Sequence, residues 1–468
     1  MYSTLVQSVF LPLHERLLKR PTFALWHDLE KSQWLSRGEI EALQEKRLNA
    51  LLATALEHSP WHAQRIREAG MEEMVRSQAV TLADLRRLPL MDKRDARENV
   101  DTLVWHEAPG GVYKYTTGGS SGEPLIFYFG RERQAADAAN RMRAHRWWGV
   151  EPGERELYLW GAPVELNKTD RIKKLRDTLL NQHLLNAFEM SPARMDDYCR
   201  FIGAWRPACI FGYASSLALL AAHAEARRYR FTQPGLKVVF ATGEPLYPHQ
   251  RELIERVFGV PVAVEYGCRD GGYLAHQAPG GQLLQMSETV IIEMLDGEGK
   301  PVGPGEAGEV VITNLATAAQ PFIRYRTGDQ ARVGTMPDRG GRGLHVLDEV
   351  LGRQTDFVVR EDGTLMHALS LIYVLRATEG VARFKCIQHT PLDLEVQVVP
   401  DSRWNDLARQ KVIDGLRARM GENLRVDLRL VDVIPAEASG KYRYVVSHVD
   451  LDGELRQASG QYPASSAF

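Results

Sequence analysis

Five short strings in this chain carry side chains able to handle phosphate, sugar and base. Thr116-Thr117-Gly118-Gly119-Ser120-Ser121-Gly122-Glu123-Pro124 sets glycines, which let backbone N–H groups converge on an anion, among hydroxyl donors of small bulk. A flexible hairpin turn has the same composition. The string is not a Walker P-loop, because no lysine occupies the motif position and a strand-like run, Leu125 to Phe129, follows instead of a helix. Thr242-Gly243-Glu244-Pro245 lies between an apolar strand-like run and a helical one, where open α/β sheets place ligands. Its small backbone offers one face of a flat pocket, and Tyr266, ending the next strand, offers the other by stacking on a base. A strand-end turn and a core tyrosine explain the same residues equally well. Asp270 suits a carboxylate holding Mg²⁺ between phosphate oxygens, or a plain loop aspartate. Asp329 closes Tyr325-Arg326-Thr327-Gly328-Asp329, where a carboxylate can accept both hydroxyls of a ribose. Lys441, in Ala438-Ser439-Gly440-Lys441, is a loop cation, ordinarily just a solvated charge.

Stepping outward, the elements that must position these groups are legible by period. The first hundred residues read mostly as helix: Ser36 with Glu39 forms a capping-box pattern, and Ile40, Leu43, Leu48, Leu51, Leu52 and Leu56 recur at helical spacing. Val112 to Tyr115 and Leu125 to Phe129 are strand-like runs flanking the Gly/Ser loop, and 131–148 turns helical. Strand-like runs at 156–160, 208–211, 237–241 and 260–265 then alternate with helical runs at 217–228 and 249–258. That alternation predicts a largely parallel sheet covered by helices. Runs at 289–296 and 309–314, separated by Gly/Pro turns, predict an antiparallel β-unit. Leu351-Gly352-Arg353 reads as a boundary, beyond which strands at 384–389, 394–399 and 425–431 surround a helix at 406–420. The expected fold is multidomain α/β, with residues 1–352 as a large unit and 357–468 as a small α+β unit, its tail after 452 frayed.

Bulk composition narrows the classes. At 468 residues the chain is too long for one ordinary core. Hydrophobic residues at 44% and charged residues at 25% are ordinary for a soluble protein, and a net charge of −2 gives no electrostatic reason to expect nucleic acid. Four scattered cysteines with no CxxC pair argue against a disulfide framework and suit a reducing cytosol, so a cytoplasmic location is expected. No apolar run reaches membrane-spanning length. The segment Met1 to Arg20 reads as a helix packed on the protein's own body, with contact to a membrane surface as the alternative.

As an ordered set these strings resemble the adenylate-forming superfamily of acyl-CoA synthetases, adenylation domains and luciferases. The similarity runs from about Ser36 to Val449 and is greatest to the phenylacetate–CoA ligase branch, including relatives associated with capsule and exopolysaccharide biosynthesis. The resemblance implies that a carboxylate and ATP give acyl-adenylate and pyrophosphate, and that CoA then displaces AMP. It assigns Thr116, Thr117, Gly118, Gly119, Ser120, Ser121 and Gly122 to the triphosphate. Gly243, Glu244, Pro245 and Tyr266 go to adenine, Asp329 to ribose, Asp270 to Mg²⁺, and Arg353 to the start of a hinge over 353–356. Lys441 is assigned to bridging the substrate carboxylate and the α-phosphate. Trp160, Tyr213, Ala241, Gly271 and Gly272 are the expected acyl pocket, of a size for an aryl or arylacetic acid. Three positions depart from the family pattern: Glu123 stands where many relatives carry lysine, Asp270 replaces a glutamate, and Thr355 replaces an acidic hinge residue. Some relatives hold zinc near the Tyr266 region; here Cys268 and His276 lack further partners, so none is expected. The expected cofactors are ATP, Mg²⁺ and CoA as co-substrate. Acceptors other than CoA stay open (a carrier-protein thiol, a sugar amine, or a small molecule taking AMP), as do homodimerisation and a non-catalytic nucleotide binder.

Overall fold

Ser36 begins the helix Arg37–His58 as its sequence implies: its hydroxyl accepts the Glu39 N–H, and the Glu39 carboxylate accepts the Ser36 N–H at 2.8 Å. The inner face of that helix, Leu48, Leu51, Leu52 and Ala55, packs with Ile291, Leu315 and Ile323 of the body. The computed structural model describes residues 2–116, 125–161, 175–187, 190–231, 235–244, 246–351, 357–363, 365–434 and 444–449.

Strands β1 (Val112–Thr116) and β2 (Ile126–Gly130) pair antiparallel as a hairpin on either side of the Gly/Ser string. Next come β3 (Glu156–Trp160), β4 (Gln182–Asn186), β5 (Cys209–Tyr213), β6 (Val238–Thr242) and β7 (Val262–Cys268). These five are parallel neighbours, in the spatial order β4, β3, β5, β6, β7. The helices Ala214–Ala226 and Pro248–Phe258 return the chain between them. Strand β5 is buried along its whole length and β6 likewise, as strands covered on both faces must be.

Strands β8 (Gly272–Gln277), β9 (Leu283–Gln285), β10 (Val290–Leu295), β11 (Ala307–Asn314), β12 (Tyr325–Val333) and β13 (Val346–Val350) follow. The runs expected to form an antiparallel β-unit do so, β10 pairing antiparallel with β11. Strand β8 turns back on β7 and pairs with it antiparallel, so both parts form one eleven-stranded mixed sheet. Inward-facing polar residues, His276 in β8 and Thr327 in β12, interrupt the apolar period of those strands. Beyond 356, β14 (Phe357–Val359) pairs with β15 (Leu365–His367), while β16 (Val381–Thr390), β17 (Asp393–Pro400), β18 (Arg425–Leu430) and β19 (Val445–Ser447) make a second sheet. Helices Leu369–Arg376 and Asp406–Met420 cover it around a core of Leu371, Leu375, Phe384, Val396, Val412 and Leu416.

Candidate active site

The carboxyl ends of the parallel strands bring the expected residues side by side. Thr242 is in register with Glu265, so Gly243 and Tyr266 are the next residues on adjacent strands. Gly243 has φ +77°, and a Cβ there would lie 3.1 Å from the Tyr213 ring, so glycine is required on both counts. Tyr213 in turn stacks on Trp160, ring centroids 4.1 Å apart, which places an aromatic wall along the ends of β3 and β5. Ala241 is fully buried in the core below this wall. The Glu244 carboxylate accepts the Ser215 N–H at 3.1 Å and the Ser215 hydroxyl. It therefore sits at the N-terminus of helix Ala214–Ala226, where negative charge is favoured.

Tyr266 is nearly buried, and its phenol donates to Asp329 Oδ2 at 3.1 Å. Burial first, then the adjacent Asp329 carboxylate, push that phenol well above its ordinary pKa, so it stays a neutral donor. Asp329 is aimed by an irregularity in β12. The pairing with β11 shifts register between Glu309 and Val311, Gly328 takes φ +76°, and the Thr327 hydroxyl accepts the Asp329 N–H at 3.1 Å while donating to Val310 O.

Asp270 lies in the β7–β8 turn and is almost fully buried, its Oδ2 accepting from the Tyr325 hydroxyl at 2.6 Å. No second hydrogen bond to that carboxylate is made among the described residues. Arg133 braces the turn, donating to the carbonyls of Asp270 and Arg269 at 3.0 and 3.2 Å. A Cβ on Gly272 (φ +102°) would meet this guanidinium at 2.8 Å, and one on Gly271 would meet Cys268 Sγ and Ile312. At these two positions the absent side chain serves close packing around the turn. Arg269 reaches the other motif: its Nη1 donates to Thr116 O at 3.0 Å, tying the β7–β8 turn to the start of the Gly/Ser string. Thr117 to Gly122, Pro245, Arg353 and Lys441 lie outside the described residues.

With this geometry in view, the chain can be set against known proteins. Residues 358–448 match the family model described as the CapK C-terminal domain. Protein CapK of Staphylococcus aureus is 21% identical over 419 residues, covering 88% of this chain and 90% of the relative. A phenylacetate-coenzyme A ligase of Thermus thermophilus is 24% identical, covering 88% and 97%. A solved 2-hydroxyisobutyryl-CoA ligase, in complex with an acyl-AMP and CoA, superposes with a TM-score of 0.60 at 20% identity, over 91% of this chain and 93% of that one. Over most of its length the chain resembles the phenylacetate–CoA ligase branch of the adenylate-forming enzymes.

Beneath the strand ends of this ligase-like chain is a half-buried polar network that sequence reasoning missed. Arg141, from helix Arg131–Trp147, binds Glu156 at 3.3 Å and the Tyr158 hydroxyl. Burial alone would raise the Glu156 carboxyl, but Arg141, His145 and Tyr158 outweigh it and hold it at about 2. Glu265, one residue before Tyr266, has less support: burial pushes it up to about 7 against the pull of Arg141. Its Oε1 accepts from Thr242 at 3.4 Å and the Tyr273 phenol lies nearby, but its Oε2 makes no well-formed hydrogen bond among the described residues. His145 with Glu265 and His276 approach the spacing of a metal site, yet the Arg141 guanidinium already supplies the positive charge there. The available signal was the run of arginines 133, 141 and 143 on a helix flanked by apolar strands. Burial first, and then Asp270 and Asp329, push the Cys268 thiol well above the ordinary range, which disfavours a reactive thiolate.

Proposed function

We propose that the protein uses ATP to activate a carboxylic acid as its acyl-adenylate and passes the acyl group to the thiol of CoA. The observation that carries this reading is the Tyr266 phenol bonded to Asp329 at the end of the central strand, beside the side-chain-free backbone of Gly243. A flat base needs a ring face and a smooth opposing wall, and a ribose needs a carboxylate one residue-length away; few other ligands call for all three. In this reading Tyr266 stacks on adenine against the Gly243–Pro245 segment, Asp329 accepts the ribose hydroxyls, and Thr116 to Gly122 donate to the phosphates. Asp270, with one carboxylate oxygen not engaged by Tyr325, fits a magnesium–nucleotide complex better than a protein-only metal cage. Bound Mg²⁺ would there neutralise phosphate charge.

In the first half-reaction a substrate carboxylate oxygen forms a bond to the α-phosphorus and pyrophosphate leaves with the electron pair of the α–β bridge. Lys441, carried on the unit 357–468, stabilises the negative charge shared by carboxylate and phosphate, a contribution on the order of 10²–10³ in rate. In the second, a thiolate sulfur attacks the acyl carbon and AMP leaves. The lysine must vacate that space, which a rotation about 353–356 provides. Trp160 stacked on Tyr213 favours an aryl or arylacetic acid, against which a flat wall gains most contact.

A second acceptor reading has its own support. The C-terminal residues 358–448, which carry the groups facing an incoming acceptor in this scheme, match a CapK domain model. The acceptor is then an amine, a carrier thiol or another nucleophile in place of CoA. Exchange of labelled pyrophosphate into ATP across a panel of carboxylic acids tests the shared first step; silence across the panel would leave a nucleotide binder. Mass detection of an acyl-CoA, formed with AMP in equal amount, then separates the two acceptor readings.

A further inference from the structure

The helical segment from Tyr2 to Leu17, widened to a π-turn over Val6–Phe10, has two faces of opposite character. Its inner face is docked on the body. Val6 is fully buried, Gly153 lets the backbone of Ser3 and Gln7 approach where any side chain would clash, and the Tyr2 hydroxyl donates to Leu179 O at 3.0 Å. Glu15, the segment's one acid, is also buried, held by Thr22, His14 and Arg20. The outer face is a ridge of Tyr2, Leu5, Val9, Leu13 and Leu17, between 43% and 74% exposed. Steps of three, four, four and four keep these five on one side. Leu175 and Leu179, also exposed, extend the ridge past Tyr2.

Charge completes the pattern. Arg16 and Lys19 are exposed at the C-terminal end of the ridge and enter no ion pair or side-chain hydrogen bond among the described residues. With Glu15, Arg20, Pro12 and Phe23 they line a surface cavity of about 400 Å³, in which the three cations outnumber the one carboxylate. A convex apolar ridge ending in unpaired cations, with its single carboxylate turned inward, matches the boundary between acyl chains and anionic headgroups. No helix among the described residues is long and apolar enough to cross a membrane, so contact is at the surface.

We propose that this ridge docks the protein on a lipid surface bearing anionic headgroups, with Leu5, Val9, Leu13 and Leu17 entering the acyl boundary and Arg16 and Lys19 meeting phosphate. The test is co-sedimentation of the whole chain with vesicles of phosphatidylcholine alone or mixed with phosphatidylglycerol. Partitioning should favour the anionic vesicles by roughly fivefold per engaged cation. It should fall as ionic strength rises, yet persist when inorganic phosphate replaces chloride at matched ionic strength. Leu13→Glu with Leu17→Glu should abolish sedimentation, and Arg16→Glu with Lys19→Glu should reduce it to the neutral-vesicle level. All four side chains are exposed, so an unchanged melting curve is expected and separates loss of docking from loss of fold. No sedimentation with either vesicle would overturn the proposal, as would displacement by phosphate alone. A concentration-dependent dimer in analytical ultracentrifugation that Leu13→Glu/Leu17→Glu dissolves, without vesicle binding, would assign the ridge to a second copy and also overturn it.

Discussion

Tyr266 and Asp329 show how one hydrogen bond separates recognition from stability. The phenol holds one carboxylate oxygen of a part-exposed aspartate, leaving the other directed by the β12 irregularity. Removing the hydroxyl with Tyr266→Phe keeps the ring face and loses only orientation, about 1 kcal/mol. The expected result is a KM for ATP raised roughly fivefold in pyrophosphate exchange, with the maximal rate and the melting temperature little changed. Asp329→Ala removes the ribose acceptor itself and should raise that KM by at least about tenfold. Equal effects of the two variants on rate and none on KM would refute the ribose assignment. Glu265, one position earlier, gives a different signature. Its carboxyl titrates near 7 in the fold and near 4.5 when unfolded, so the unfolded chain releases the proton first as pH rises. Stability from this group is intact below pH 4.5, declines to about pH 7 and stays reduced above it. Glu265→Gln, neutral throughout, should match the native protein in urea unfolding near pH 4.5 and exceed it above pH 7 by up to roughly 3 kcal/mol. A constant difference at all pH values would show that the carboxyl is not the titrating group.

At the scale of elements, helix Arg131–Trp147 decides how the site is held, and it was only half legible. Its limits follow from the strand before it and Gly149 after it, but its buried face mixes four alanines with Arg133, Asn140, Arg143 and His145. Apolar periodicity finds helices that pack on oil-like cores, and this one is instead wired to its neighbours through charge. Arg133 grips the β7–β8 turn, Arg141 the base of β3, and Arg143 the segment before β10. The Arg143–Glu288 pair is completely shielded from solvent, and Arg143 also donates to Leu29 O at 3.3 Å and Asn140 Oδ1 at 3.2 Å. Breaking such a pair from one side strands a buried charge, typically costing 3–5 kcal/mol. Arg143→Met or Glu288→Leu alone should therefore lower the unfolding free energy by about that much. The double variant should recover a large part of the loss, because neither charge is then left alone. Additive losses in the double-mutant cycle would show that the two side chains act independently.

For the whole molecule, the α+β character of the C-terminal residues could be read from sequence, since helix 406–420 and its flanking strands keep clean periods. The joining of the parallel and antiparallel parts could not be read, because the β7–β8 reversal depends on a turn packed by Arg133 from a distant helix. How the C-terminal unit meets the large one was equally hidden. Val359 and Val449 pack with Leu157, Ala241 and Val262 of the parallel strands, and after burial the nearby Tyr373 also raises the Tyr213 phenol. The unit thus abuts the aromatic wall at the ends of β3 and β5, on the side where an acyl group would lie. A cation carried by that unit is useful while two anions are being joined and obstructive once the acyl carbon must be reached by a thiol. Lys441→Ala should consequently lower pyrophosphate exchange by on the order of 10²–10³. The same variant, given synthetic acyl-adenylate and CoA, should form thioester at close to the native rate. Equal loss of both half-reactions in Lys441→Ala would place the lysine in a static site and remove the reason for a rotating unit.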